Sequence, residues 1–122
     1  MRILIVLPLL FLYGCTTYGQ LDYVTVEGER KVACKTEYFG APSVDKYAIE
    51  YILSHCARQA VAKGHSVIDE SLLTLQPTIP ASPNGRTWTF EYATKLYDQG
   101  KLSDKEYGYI VAYIDLAAAS SK

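Results

Sequence analysis

Two histidines and one adjacent acidic pair are the side chains that could support acid–base catalysis in this chain. Neither His55 nor His65 lies beside a serine or cysteine in a nucleophile motif. Asp69 and Glu70 are neighbours, and neighbouring side chains in a strand point to opposite faces, so they would not converge on one substrate. We predict a solvated turn here and no catalytic residue. A small enzyme with a polar cleft near these residues stays open as an alternative.

Motifs for bound cofactors are also missing from the sequence. There is no glycine-rich loop that could hold a phosphate, and no Cys/His spacing typical of a metal site. We therefore predict no cofactor and no metal.

The first 14 residues have the composition of an export signal. Met1 and Arg2 precede an apolar run of 11 residues from Ile3 to Tyr13. A span of the bilayer core needs about 20 apolar residues, whereas the apolar part of a signal peptide has about 7 to 15. Pro8 also disfavours a long stable helix. The pattern predicts a signal peptide over residues 1–14.

The end of this signal resembles the lipobox of bacterial lipoproteins. Leu12 lies three residues before Cys15, and the small Gly14 directly precedes it, while Tyr13 is larger than the family favours. The resemblance implies export by the Sec pathway, a diacylglycerol on the Cys15 thiol and a further acyl chain on its amine. Thr16, rather than Asp, implies the outer membrane. The alternative is a general secretory signal followed by a free cysteine.

Lipidation of Cys15 would leave Cys34 and Cys56 as a pair. In the oxidising periplasm that the resemblance implies, such a pair favours a disulfide, worth about 3 kcal/mol for a loop of this length. Two buried thiols are one alternative. A metal site that adds His55 is another, but neighbours on a helix point about 100° apart and converge poorly on one ion.

Charge and length exclude one class of partner. The chain has 122 residues with 12 basic and 13 acidic side chains. Loss of Arg2 with the signal leaves 11 basic residues and a net charge of −2. No cluster of basic residues is present to neutralise phosphates, so we predict no binding to nucleic acid.

About 100 residues suffice for one domain, predicted over 21–122 after an irregular tether at 15–20.

The first half of the domain predicts a β-hairpin and a long helix. Leu21–Val26 and Arg30–Phe39 are rich in β-branched and aromatic residues around a turn at Glu27-Gly28-Glu29, with Val32, Cys34 and Thr36 expected on one face. A helix is predicted from a Ser43 cap to Lys63, with Gly64 ending it and Cys56 facing Cys34. His65–Leu75 predicts at least one further strand, and 76–86 predicts a loop.

The second half predicts a helical hairpin over 87–119. Trp88, Tyr92 and Leu96 share one helical face, and Gly100 ends that helix. Ser103 and Glu106 form a capping box that begins the next helix, which is predicted to end near Ala119. The predicted fold class is α+β, with a small antiparallel or mixed sheet on one long helix followed by this hairpin.

Residues 93–114 resemble the short C-terminal helical-hairpin domain called SHOCT. Leu96, Gly100 and Leu102 match its pattern, as do Ser103, Glu106 and Tyr107. Tyr109, Val111 and Tyr113 depart from the lysine and leucine that the family favours. The resemblance covers about a fifth of the chain and implies a role in assembly or interaction.

Tyrosine is the remaining signal, with 11 in the chain and five between residues 92 and 113. The last predicted helix carries one apolar stripe of Tyr107, Ile110, Val111 and Ile114. Tyr109, Tyr113 and Leu116 form a second stripe. If it is exposed, the second stripe would be a partner-binding surface. If it is buried, it would cover the first long helix or the sheet.

These patterns together predict a non-catalytic lipoprotein anchored in the outer membrane. Its expected partners are the membrane and an envelope protein or peptidoglycan. An exclusion or immunity lipoprotein encoded by a phage or plasmid is one alternative, and a small periplasmic enzyme is another.

Overall fold

The computed structural model describes residues 16–120 and has an α+β fold. Three antiparallel strands lie in the order β2-β1-β3, and four helices accompany them. The elements are β1 (Thr17–Val24), β2 (Arg30–Tyr38), α1 (Pro42–Ala62), β3 (Ser66–Val67), α2 (Ser71–Thr74), α3 (Phe90–Asp98) and α4 (Asp104–Ser120). The predicted fold class is confirmed.

The β1–β2 hairpin is longer at its start than the sequence suggested. Thr17 pairs with Tyr38 and Val24 pairs with Arg30, so β1 begins four residues before Leu21. The expectation of irregular structure over residues 17–20 is therefore wrong. Thr17 and Gly19 continue the inward alternation of Leu21, and the strand uses them to extend its pairing. The turn itself is confirmed, with Gly28 at a φ of 86° that a residue with a Cβ rarely adopts.

A β-bulge changes which side chains of β2 face the helix. The pairing steps from Leu21 with Cys34 to Asp22 with Val32, which leaves Ala33 as the extra residue. Cys34 and Ala33 pack toward the core, whereas Val32 lies outside and is 45% exposed. The prediction that Val32 and Cys34 share a face is wrong because the bulge reverses the alternation between them.

Helix α1 follows its prediction apart from the cap. Pro42 occupies the first turn and Ala41 is the cap residue, with no side chain bonded to the free amides, so Ser43 is not the cap. Proline suits this position because its fixed φ is already helical and its missing N–H is not needed. Gly64 ends the helix at a φ of 88°, as predicted.

Helix α1 packs on the sheet with one face and on α4 with another. Ala57 and Ala60 join Leu21, Val67 and Leu72 in the sheet-side core. The predicted disulfide is present between Cys34 of β2 and Cys56 of α1, with their Cα atoms 6.5 Å apart. This bond ties the helix to the middle of β2.

The segment after α1 contains less strand than expected. Ser66–Val67 pairs with Val24 and Tyr23 as β3, which confirms one further strand. The second apolar centre, Leu73–Leu75, is not a strand, because Ser71–Thr74 forms the helical turn α2. Ser54 of α1 is fully buried and donates a hydrogen bond to the Leu72 carbonyl at 3.2 Å, which fixes this turn on α1.

The C-terminal region begins with the predicted loop. Trp88 lies before the helix rather than inside it, and its indole N–H donates to the Pro80 carbonyl at 2.9 Å. Helix α3 starts at Phe90, two residues after Trp88, where the helix was predicted to begin. Thr89 caps it, because its side chain accepts from the Tyr92 amide at 3.1 Å. The Ser103–Glu106 capping box is present in both directions, at 3.1 and 3.0 Å.

Helix α4 packs on two neighbours at once. Ile110 is fully buried with Trp88, Ala93 and Leu96 of the α3 side. On its other side, α4 meets α1 closely at Gly108, where a Cβ would come within 2.6 Å of the Val44 carbonyl oxygen. Helix α4 therefore packs on α3 to complete the hairpin and also attaches the hairpin to α1.

Candidate binding face

The residues with catalytic chemistry do not form one site in the described structure. Asp69 is exposed and accepts from the Ser71 amide at 3.1 Å, so its carboxylate caps the turn at α2. Glu70 is exposed at the start of that turn. This agrees with the solvated turn that the sequence predicts.

His65 occupies a different place, at the end of α1. Its ring packs against Tyr23 with centroids 4.4 Å apart, and its Nδ1 atom is buried without a hydrogen-bond partner. A half-open cleft of about 170 Å³ lies beside it, lined also by Cys56, Gln59 and Lys63. Asp69 and Glu70 do not line this cleft.

The metal alternative loses its ligands to the disulfide. Cys34 and Cys56 are bonded to each other, so neither is a free thiolate. Across residues 16–120, no group of three His, Cys, Asp or Glu side chains is placed to hold an ion.

The predicted tyrosine surface on α4 is largely covered. Tyr109 is only 4% exposed, and its ring lies 6.2 Å from that of Tyr47 and 5.6 Å from that of Tyr51, both on α1. Burial among these groups is also the main cause that raises the pKa of Tyr109. Of the two alternatives that the sequence left open, Tyr109 therefore follows the one in which the second stripe covers α1.

The other two residues of that stripe differ from Tyr109. Leu116 is half-buried against the cluster of Ala48, Ile52 and Ala112. Tyr113 stays 44% exposed. A single exposed tyrosine at the margin of a packed interface does not make a contiguous patch. Cys15, the predicted lipidation site, lies outside the described residues.

The uncovered surface of the molecule lies on the sheet instead. Side chains of β1 and β2 alternate between α1 and the opposite side, and the set pointing away from α1 forms what we call the outer sheet face. Its members are Tyr18, Gln20, Asp22, Arg30, Val32, Lys35 and Glu37. Helix α1 packs on the other side of β1 and β2, and α4 reaches β2 at Tyr38, whose hydroxyl donates to Asp115; no described helix packs on the outer sheet face.

Hydrogen bonds order one row of the outer sheet face. The Tyr18 hydroxyl donates to Gln20 Oε1 at 2.6 Å, and Gln20 Nε2 donates to Asp22 Oδ1 at 2.8 Å. Arg30 Nε donates to the second Asp22 oxygen at 2.8 Å. The bonds from Gln20 and then Arg30 hold the pKa of Asp22 below its usual value. These bonds link the four side chains into one continuous row.

Apolar groups interrupt the polar row. Tyr18 is 55% exposed and Ile68, which follows β3, is 50% exposed. Ile68 lies beside Asp22 and Arg30 around a shallow depression of about 270 Å³. Arg30 and Lys35 balance Asp22 and Glu37, so the face has both signs of charge and no net charge.

This face is not evident from the sequence when residues 15–20 are taken as a tether. A period-2 pattern was nevertheless present, with Tyr18, Gln20 and Asp22 alternating with Gly19 and Leu21. Extending the strand back by four residues would have placed Tyr18 and Gln20 beside Asp22.

Comparison of the chain with protein-family models, with curated proteins and with solved structures found no match. Within residues 16–120, no helix has the length and apolar character needed to cross a membrane.

Proposed function

We propose that this chain is a lipoprotein, anchored through Cys15 in the outer membrane, whose domain binds an envelope protein through the outer sheet face. One observation carries the binding role: an ordered, uncovered row of mixed polar and aromatic side chains runs along β1 and β2. The chemistry is recognition rather than catalysis. The lipobox resemblance of Leu12, Gly14 and Cys15 supports the anchor.

The start of β1 supports a domain close to the membrane. Thr17 is already paired in the sheet, two residues after Cys15. Two residues span at most about 8 Å, so no long stalk separates the lipid from the fold. Two or three acyl chains hold a protein firmly, whereas one gives only marginal binding. Confinement near the membrane raises the effective concentration of a membrane partner, so a weak face suffices.

The composition of the face favours a protein over a glycan. Interfaces between proteins are enriched in tyrosine and arginine and carry complementary charges of both signs. Tyr18, Arg30 and the alternating charges of Lys35 and Glu37 fit that description. Small ligands bind in enclosed concave sites, whereas this face follows two strands and has two open depressions, one near Ile68 and one beside Tyr18, Lys35 and Glu37. Peptidoglycan binding is the competing outcome of the test below.

The anchor is tested by the intact mass of the protein extracted from membranes, before and after reduction. We expect a chain that begins at Cys15 and carries added acyl mass, and that gains two hydrogens on reduction of the Cys34–Cys56 bond. A Cys15→Ser variant should lose the acyl mass and leave the membrane fraction. An unmodified chain cut at another position, or one that retains Met1, would contradict the anchor.

The binding face is tested by photocrosslinking in intact cells. A benzoylphenylalanine at Tyr18 should give a discrete protein adduct, and one at Val61, which is 46% exposed on α1, should not. Lys35→Glu on the face should abolish the Tyr18 adduct, whereas Lys63→Glu at the end of α1 should leave it intact. An adduct only to glycan would show a cell-wall partner. Equal adducts from both positions, or none, would contradict the proposed face.

A further inference from the structure

The loop between β2 and α1 carries the most exposed aromatic side chain described in this structure. Phe39 is 76% exposed, although an aromatic ring of this size usually packs against its own protein. The residues after it, Gly40, Ala41, Pro42 and Ser43, are also exposed and have no charge. An exposed segment of five uncharged residues can enter an apolar region without desolvating an ion.

The hairpin places this loop at the same end of the sheet as the chain start. Thr17, the first residue of β1, pairs with Tyr38, the last residue of β2, and Phe39 follows directly. Paired Cα atoms lie about 5 Å apart and consecutive ones about 4 Å, so Cys15 and Phe39 lie within about 17 Å of each other. Any lipid on Cys15 would therefore bring the membrane to the Phe39 loop.

We propose that the Phe39 loop inserts into the headgroup–acyl boundary of the bilayer that holds the Cys15 lipid. This inference rests on the proposed lipid anchor. Apolar and aromatic side chains of peripheral proteins bury about 5–10 Å into this boundary. The loop and the anchor then form two attachment points, which fix the orientation of the domain and not only its distance from the membrane.

Insertion of the Phe39 loop would set the direction in which the outer sheet face points. Two attachment points at the Thr17 end make the strands rise from the membrane, so the row from Tyr18 to Arg30 runs away from the bilayer. A domain held by one flexible point would rotate freely. With the loop inserted, the face is presented sideways to a neighbouring membrane protein.

The opposite end of the hairpin supplies a matched control. Val26 is 89% exposed in the β1–β2 turn, between Thr25 and Glu27 and close to Glu29. The eight residues of β1 separate the two ends by about 23 Å, and the neighbouring carboxylates oppose insertion. Phe39 and Val26 thus compare two exposed apolar positions that differ in distance from the anchor and in the charge around them.

The test uses the mature chain from Cys15, coupled through that thiol to a maleimide lipid in phosphatidylcholine vesicles. With the Cys34–Cys56 disulfide formed, Cys15 is the free thiol available for coupling. Phe39→Trp and Val26→Trp variants are compared with the parent, so that Trp88 emission can be subtracted. On vesicles with brominated acyl chains, we expect the tryptophan at position 39 to shift to the blue and lose most of its emission. The tryptophan at position 26 should do neither.

An unquenched tryptophan at position 39, or equal quenching at both positions, would overturn the inference. A measurement without substitutions repeats the test: anchoring the parent chain should slow hydrogen exchange at the Phe39 and Ala41 amides and leave the Gly28 amide unchanged. Because the lipid is supplied chemically, this result is independent of whether cells acylate Cys15. The intact mass alone decides that question.

Discussion

The outer sheet face and the second stripe of α4 use the same kinds of side chain but have opposite surroundings. Tyr109 and Leu116 pack against α1, whereas Tyr18 and Ile68 have no helix over them within the described chain. The stripe had the more conspicuous pattern in the sequence. What decides exposure is whether another element of the chain is available to cover the surface.

The reason for the difference lies in how many neighbours each element has. Helix α1 is apolar over a wide arc and needs cover on both the sheet side and the opposite side. Helix α4 supplies that second cover. The sheet has only one long helix, so one of its faces is left without cover. A tyrosine-rich helix in a small domain is therefore weak evidence for a docking surface.

The largest expected effect separates two tyrosines of the same stripe. Tyr109→Ala should lower the free energy of unfolding by about 4 kcal/mol, because it removes a buried ring between α1 and α4. Tyr113→Ala should change it by less than about 0.5 kcal/mol, because Tyr113 is partly in solvent. Urea unfolding followed by circular dichroism measures both. Equal losses for the two variants would mean that the stripe is not divided as described.

A smaller effect tests the close contact of α4 with α1. Gly108→Ala should cost about 2 kcal/mol, because the new Cβ would meet the Val44 carbonyl oxygen at 2.6 Å and the Tyr47 Cβ at 2.8 Å. Helix propensity alone predicts the opposite sign, a gain of about 1 kcal/mol for replacing a helical glycine by alanine. Thermal and urea unfolding therefore give a result whose sign distinguishes packing from propensity. A stabilised variant would contradict the close approach.

Tyr38 of β2 is hydrogen-bonded to α4, and its contribution to the free energy of unfolding depends on pH. Burial, and then the hydrogen bond that its hydroxyl donates to Asp115 at 2.8 Å, raise the pKa of Tyr38 above its usual value. The stabilising contribution is fully present below the unfolded pKa of about 10 and is lost as pH rises from there toward the folded value. Tyr38→Phe should cost about 1 kcal/mol near neutral pH.

The same variant should make stability fall less steeply between neutral pH and pH values above 10. The pH dependence of stability in a Tyr97→Phe variant is a suitable comparison. The Tyr97 hydroxyl also donates to a carboxylate, that of Asp104, at 2.6 Å, but within the C-terminal hairpin. An alkaline slope that is identical in Tyr38→Phe and the parent would refute the assigned role of Tyr38.

The smallest effect on stability is expected on the outer sheet face. Tyr18→Ala and Lys35→Ala should each change the unfolding free energy by less than about 0.5 kcal/mol, because both side chains are exposed. The same substitutions should weaken partner binding, which photocrosslinking from a benzoylphenylalanine at Glu37 on the same face measures. Loss of stability comparable with that of Tyr109→Ala would show that this face is part of the core.

Local signals in the sequence were enough for most of the fold. Gly64 and the Ser103–Glu106 capping box marked ends and starts that the structure confirms, because they report the backbone of their own few residues. The apolar residues of α1 recur every four positions, and this spacing placed Cys56 on the face opposite Cys34; they are Val44, Ala48, Ile52, Cys56 and Ala60. These features depend on neighbours in the chain or on one periodic face.

The failures had a different physical origin. The bulge at Ala33, which the sequence did not predict, arises from pairing with β1. The choice between exposure and burial of Tyr109, which the sequence left open, is decided by packing on α1, so neither feature depends on local sequence alone. Irregular structure was predicted before Leu21 because residues 16–20 are polar, and Gly19 lies among them. In the fold it allows Ile49 to approach, since a Cβ there would lie 2.3 Å from the Ile49 Cγ2.

The contrast between the two surfaces is tested most directly by hydroxyl-radical footprinting of all tyrosines, first on the purified mature domain and then on intact envelopes. In the purified domain we expect rapid oxidation of Tyr18 and Tyr113 and protection of Tyr109. In the envelope, Tyr18 should become protected by the partner, while Tyr113 should remain reactive. Oxidation of Tyr109 as fast as that of Tyr113, or protection of Tyr113 alone in the envelope, would return the binding surface to α4 and contradict the account.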